Sequence, residues 1–158
     1  MEAVKASGKA KAIGVSNFAI SHLEIIMAGA SEIPAVNQVE YNIYLQQPDL
    51  FNYCHKHGIT IEAYAPLAPL TTEGPAKATV AELARKYGVG EAEIYLRWCV
   101  QSGVPVVTTS LREERVKGYL RVFDFSLEPK EVEQLSSVGK SHHFRKYFAE
   151  NFPGEDKA

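Results

Sequence analysis

Long apolar runs are missing from this 158-residue chain. None of its segments reads as a membrane span or a signal peptide, so no membrane association is expected. Cysteine is scarce. Cys54 and Cys99 stand in unrelated segments, which excludes a spaced disulfide framework and reads as two reduced core thiols of a cytoplasmic protein. Neither sign of charge dominates: 17 Lys and Arg against 19 Asp and Glu leave a net charge of −2. The charges are interspersed, which argues against the clustered basic face of a nucleic-acid binder. Low-complexity sequence is confined to the polar end "NFPGEDKA" (151–158), expected to fray. Over the whole chain, 46% apolar and 23% charged residues are ordinary for one globular domain spanning 1–158.

The chain alternates between two kinds of pattern. "KAIGV" (11–15), "PAVNQVEY" (34–41), "ITIEAYAPL" (59–67) and "VPVVTTS" (104–110) read as strands, apolar at their starts and polar at their ends. Helical segments follow each of them. Ser21 and Glu24 have capping-box spacing, as do Thr79 and Glu82. "QPDLFNYCHKHG" places Pro48 in a first turn and Gly58 just past the helix end. "EAEIYLRWCVQSG" stacks behind the Thr79 helix, "LREERVKGYLRV" is the fourth crossover, and Pro129 opens a last helix with no strand after it. Four strand–helix units predict a parallel sheet with right-handed crossovers and ligand loops at the strand C-termini.

Those C-termini share a chemistry. The first ends in Ser16-Asn17 and the second carries Asn37-Gln38 and Glu40-Tyr41-Asn42. The third ends in Tyr64-Ala65-Pro66-Leu67, and the fourth in Thr108-Thr109-Ser110 ahead of Arg112 and Arg115. Amides and hydroxyls suit a carboxamide, an aromatic face suits a flat ring, and guanidinium beside a helix start suits phosphate. A nicotinamide dinucleotide combines all three, although polar loops are also normal at this end of any parallel α/β fold. His55 and His57 lie two apart and do not share a helix face, so they are read as complementing a helix C-terminus, and no metal site is expected. Leu83, Tyr87, Ile94, Leu96, Trp98 and Val100 are read as core, and the charges of "REERVK" as a mostly solvated face.

The segments "GKAKAIGVSNF", "PAVNQVEYN", "AYAPLAPL", "LRWCVQSGVPVVTTS" and "EERVKGYLRVFDFSL" resemble the aldo-keto reductase family, in its order and roughly its spacing. The "VVTTS…EER" and "SHHFRKYF" segments are similar to its fungal conjugated polyketone and α-keto amide reductases. The resemblance implies a (β/α)8 TIM-barrel fold that reduces aldehydes or ketones with NADP(H). It also implies roles: Ser16, Asn17 and Gln38 at the carboxamide, Tyr64 as the ring stacked on nicotinamide, Ala65 and Leu67 along the pyrophosphate, Ser110 and Arg115 at the adenosine 2′-phosphate. Thr109, Gly118 and Tyr119 depart from the family's common Lys, Glu and Asn, so preference for NADPH over NADH rests on Arg115.

A full barrel of this kind takes about 250 residues, and the units present resemble the family's fifth to eighth. The family's Asp, Tyr, Lys and His tetrad belongs to the earlier strands, so no catalytic residue is assigned here and the isolated chain is expected to be inactive. Tyr41 and Tyr44 are the candidates for a stand-in acid, but neither has a Lys nearby in sequence, and both read as packing residues. "MEAVKASGK" resembles the end of a helix that the family continues upstream, which favours a truncated product over a non-catalytic nucleotide-binding module. The partners expected are a small carbonyl substrate for a complete enzyme and, for the half-barrel, a second copy pairing through its open edges.

Overall fold

The computed structural model describes residues 1–148, Glu150 and Phe152. A short helix α1 (Glu2–Ala6) precedes strand β1 (Val15–Ser16), helix α2 (Ile20–Met27), strand β2 (Val36–Glu40), helix α3 (Pro48–Lys56) and strand β3 (Thr60–Tyr64). A 3₁₀ turn (Ala68–Thr71) leads to α4 (Ala76–Tyr87), α5 (Glu91–Gln101), α6 (Glu113–Leu120), a second 3₁₀ turn (Arg121–Phe123) and α7 (Pro129–Lys140). The three strands form one parallel sheet in the order β1-β2-β3. Among the described residues, no helix is long and apolar enough to cross a membrane.

The register divides the sheet into two faces, because successive side chains of a strand alternate. Asn37, Val39, Ile61 and Ala63 are buried. The three apolar ones join Leu23, Leu50, Cys54, Val80, Ile94 and Trp98 in a single core with the helices. The opposite face carries Ser16, Gln38 and Glu62 in one row across the three strands, then Glu40 beside Tyr64. Val39 and Ile61 thus belong to the helix-covered core, and Val36 lies in the same register row as Thr60 on the polar face.

All four expected strands are shorter than their sequence suggests, and the two at the margins lose most. The first is confined to Val15–Ser16, although Ala35 N–H still donates to Ile13 O at 2.8 Å. Gly14 allows this close approach, since a Cβ there would lie 2.8 Å from Val36 O. The fourth is reduced to a parallel bridge between Ala63 and Val106. Ala63 N–H donates to Pro105 O and Val107 N–H donates to Ala63 O, both at 2.8 Å. Both segments lie at the sheet's margins, where one side has no neighbour to extend the ladder.

The helix starts also shift. α2 begins at Ile20 with Ala19 before it, and the His22 ring nitrogen Nδ1 accepts the Ala19 N–H at 3.2 Å, so Ser21 and Glu24 do not form the predicted box. α4 begins at Ala76, immediately after Pro75, three residues ahead of Thr79. The α3 reading matches: Pro48 occupies the first turn, and Gly58 follows the cap with φ +71°. Cys54 and Cys99 are both free and buried, and burial raises both thiol pKa values. Of the stretch 151–158 expected to fray, only Phe152 is described. Its side chain is buried, with the Arg145 guanidinium 4.0 Å above its ring.

Candidate functional site

The site begins where β1 stops. Ser16 Oγ and Asn17 N–H both donate to Gln38 O at 2.9 Å, stitching the end of β1 to β2. Asn17 then turns the chain with φ +56°, a left-handed conformation that Asn tolerates better than most residues. Asn37, fully buried behind the sheet, holds that turn: its Nδ2 donates to Phe18 O at 2.8 Å and its Oδ1 accepts the Phe18 N–H at 3.3 Å. Asn37 is therefore a residue of the scaffold, and Gln38 is its counterpart on the open face. Gln38 Nε2 donates to Glu62 Oε2 at 2.5 Å.

β3 supplies the next group. Tyr64 donates its hydroxyl to Asn17 Oδ1 at 2.9 Å, joining the ends of the first and third strands. Burial, with the Glu40 carboxylate beside it, pushes the Tyr64 phenol up to about 12, so it remains a donor throughout the neutral range. Ala65 follows with φ +51°, a rare conformation for a residue with a Cβ and one that tends to occur at functional turns. The turn closes with Ala68 N–H donating to Ala65 O at 3.1 Å.

Beyond this turn lies a cleft of about 730 Å³ lined by Tyr64, Ala65, Leu67, Ala68 and Thr71 on one side and by Val107, Thr108 and Thr109 on the other. Lys146, Tyr147 and Phe148 complete its wall. A second hollow of about 450 Å³ adjoins it through Thr109 and is lined by Ser110, Leu111, Arg112, Arg115 and Tyr119. Ser110 Oγ accepts the Arg112 N–H at 3.1 Å ahead of α6. Glu113 and Glu114 already occupy the first turn of α6, so attraction for an anion there falls to the two arginines more than to the helix dipole.

All eight residues singled out from the sequence thus lie at one end of the sheet. Ser16, Asn17, Gln38 and Tyr64 are linked by hydrogen bonds. Ala65 and Leu67 line the cleft, and Ser110 and Arg115 share the adjoining hollow. The clasp between the C-terminal segment and Glu40 follows from no local pattern in the sequence. The Glu40 carboxylate, fully buried at the top of β2, accepts the Lys146 N–H at 3.0 Å on both oxygens and the Tyr147 N–H at 2.7 Å on Oε2. Phe144 N–H donates to Tyr44 O at 3.1 Å, and Arg145 Nη2 donates to Gln47 Oε1 at 3.1 Å. The rings of Tyr147 and Phe148 stand 6.2 and 6.4 Å from that of Tyr64. The one available signal was the acid in "VEYN", a carboxylate in a strand otherwise destined for burial.

Comparison with known proteins agrees with this geometry. The family model described as Aldo/keto reductase family matches residues 1–140. An NADPH-dependent alpha-keto amide reductase of Saccharomyces cerevisiae is 41% identical over 150 residues, 90% of this chain and 48% of that protein. An NAD/NADP-dependent indole-3-acetaldehyde reductase of Schizosaccharomyces pombe is 34% identical over 151 residues, 93% of this chain and 53% of that protein. The crystal structure of an aldo-keto reductase enzyme from a Medee basin deep-sea metagenome library superposes with a TM-score of 0.84 at 36% identity, covering 93% of this chain and 54% of that one. The chain spans about half the length of the curated relatives it matches.

Proposed function

The chain belongs to the aldo-keto reductase family, with the (β/α)8 fold in part, and from that premise we propose that it forms the NADP(H)-binding half of an oxidoreductase that reduces aldehydes or ketones to alcohols. The observation that carries this reading is the continuous run of matching chemistry along one end of the sheet. Amide and hydroxyl groups at Ser16, Asn17 and Gln38 lead to the Tyr64 ring, then to a cleft, then to the hollow of Ser110 and Arg115.

The residues present fit the cofactor's parts. Asn17 carries an amide group whose Oδ1 is already engaged by Tyr64, leaving its Nδ2 as a donor for a carboxamide oxygen. The Tyr64 ring, fixed at its hydroxyl, offers a platform of settled orientation. The left-handed turn at Ala65 re-aims the backbone where a bulky side chain would obstruct a phosphate. Arg115 provides a guanidinium suited to a terminal phosphate, with the Ser110 hydroxyl beside it. When bound, the reduced nicotinamide supplies hydride to a carbonyl carbon. The role of this chain's residues is to orient that ring and hold the nucleotide.

Calorimetric titration with NADPH and NADH tests the reading. A charge-assisted phosphate contact contributes about 1.5–3 kcal/mol, so Arg115→Ala is expected to weaken NADPH roughly tenfold or more and to leave NADH unchanged. Equal losses for both cofactors would remove Arg115 from the 2′-phosphate.

A further inference from the structure

The cleft beside Tyr64 has walls of aliphatic, aromatic and hydroxyl side chains, and Lys146 is the one charged side chain among the described residues that line it. Lys146 does not reach the cleft from the βα loops. It arrives on the C-terminal segment, 106 positions after the strand residue that secures it. That residue, Glu40, is fully buried and receives the backbone N–H groups of Lys146 and Tyr147, at 3.0 and 2.7 Å. A buried carboxylate is costly unless hydrogen-bonded, so the clasp ties the segment firmly to the top of β2. The Lys146 side chain is left exposed, its ammonium 5.5 Å from the Tyr147 ring centroid.

We propose that Lys146 is a pyrophosphate-binding residue of the dinucleotide site, and that Glu40 is the positioning residue that fixes its backbone. The proposal rests on the nucleotide reading above and adds a ligand from outside the strand ends. Arg112 and Arg115 lie in the adjoining hollow, so they do not supply the charge that a doubly anionic bridge needs along the cleft itself. A lysine on a flexible stem acts there as a point charge. Because the pyrophosphate is common to both dinucleotides, Lys146 serves NADPH and NADH alike, which separates its role from that of Arg115.

The test is calorimetric titration of the 158-residue chain with NADPH, NADH and inorganic pyrophosphate. Lys146→Met is expected to weaken all three about tenfold, and Lys146→Arg, which keeps the charge, to retain most of the binding. Glu40→Ala should weaken binding as well, but should add little on top of Lys146→Met, because residues acting through one contact are not additive. Melting curves check that each variant is folded. Undiminished NADH binding by Lys146→Met would overturn the proposal, as would a loss confined to NADPH. Fully additive losses for Glu40→Ala and Lys146→Met would remove Glu40 from it. If pyrophosphate binds through Lys146 but neither dinucleotide binds, the anion site stands and the nucleotide reading falls. If pyrophosphate does not bind either, both fall.

Discussion

At the scale of single residues, the rim is held in place by conformations and bonds of two different kinds. Asn17 and Ala65 adopt φ values of +56° and +51°, turning the chain sharply where the first and third strands end. The Tyr64–Asn17 bond then couples the two turns directly. The sequence made Asn17 and Tyr64 visible because polar and aromatic side chains at strand ends stand out against apolar runs. It hid the left-handed Ala65, since nothing about an alanine announces its φ, and it hid Glu40 and Lys146, whose pairing spans 106 positions and belongs to no local pattern. The same scale decides the question of proton donation. Tyr41 is buried flat against Trp98 with ring centroids 5.6 Å apart, and burial raises its pKa above the usual phenol range. The Tyr44 hydroxyl accepts the Ala76 N–H at 3.2 Å. Both are engaged in the core, away from the open face, so neither is suited to protonate a carbonyl. We therefore expect the isolated chain to show no NADPH consumption with a reactive diketone, assayed on protein free of host reductases. Turnover abolished by Tyr41→Phe or Tyr44→Phe would show that a core tyrosine reaches the substrate after all.

At the scale of elements, the interior strands and the longer helices were legible, and the margins were not. β2 and β3 are flanked on both sides and keep five residues each, Val36–Glu40 and Thr60–Tyr64, within the expected 34–41 and 59–67. The segments at 11–15 and 104–110 have strand-like composition but too little ladder to express it. Pro129 marked the start of α7, and the charge cluster that secures this start was not apparent from composition. Lys86 of α4 reaches Glu128 Oε1 at 2.5 Å and Glu131 Oε1 at 2.6 Å, while Tyr87 donates to Glu131 Oε2 at 2.5 Å. The Lys86 hydrogen bond, with Lys130 beside it, lowers the Glu128 pKa to about 2. Glu131 is buried, which alone would raise its pKa, but bonds from Lys86, Tyr87 and the Glu128 N–H outweigh burial and lower it. Groups with depressed folded pKa values stabilise the fold above their unfolded value and lose that contribution as pH falls. Thermal stability should therefore decline between about pH 4.5 and 2. Glu40 works in the opposite sense. Its raised pKa gives a contribution present in full below the unfolded value and lost as pH rises through the folded one. Glu131→Gln should lower the melting temperature near neutrality and flatten the acid limb. An acid limb of unchanged slope in that variant would assign it to other carboxylates.

At the scale of the whole molecule, the sheet has two margins and one face with sparse helical cover. Among the described residues, β1 pairs only with β2, and the segment around Val106 pairs only with β3. Unpaired strand edges are templates for another chain. An apolar inner surface would be a second drive to association, and the fold limits it. Val39 and Ile61 lie in the helix-covered core, and the open face presents Ser16, Gln38, Thr60 and Glu62, with Val36 as its apolar member. Gln38 and Glu62 also satisfy one another at 2.5 Å, so this face is soluble in character and association falls to the edges. Edge pairing between copies is ordered and finite when a two-fold axis closes it. We expect the 158-residue chain to form dimers through these margins, with sedimentation velocity showing a dimer whose fraction rises with concentration. Because backbone pairing drives it, the dimer should persist at high salt, where screening removes long-range attraction between surface charges. Replacing Val107, whose N–H makes one of the two backbone bonds that join this segment to Ala63, by Pro should disturb that margin and lower the dimer fraction. A monodisperse monomer with one cooperative melting transition would instead mean that four strand–helix units protect their own edges, and edge pairing would then have no part in the behaviour of this chain.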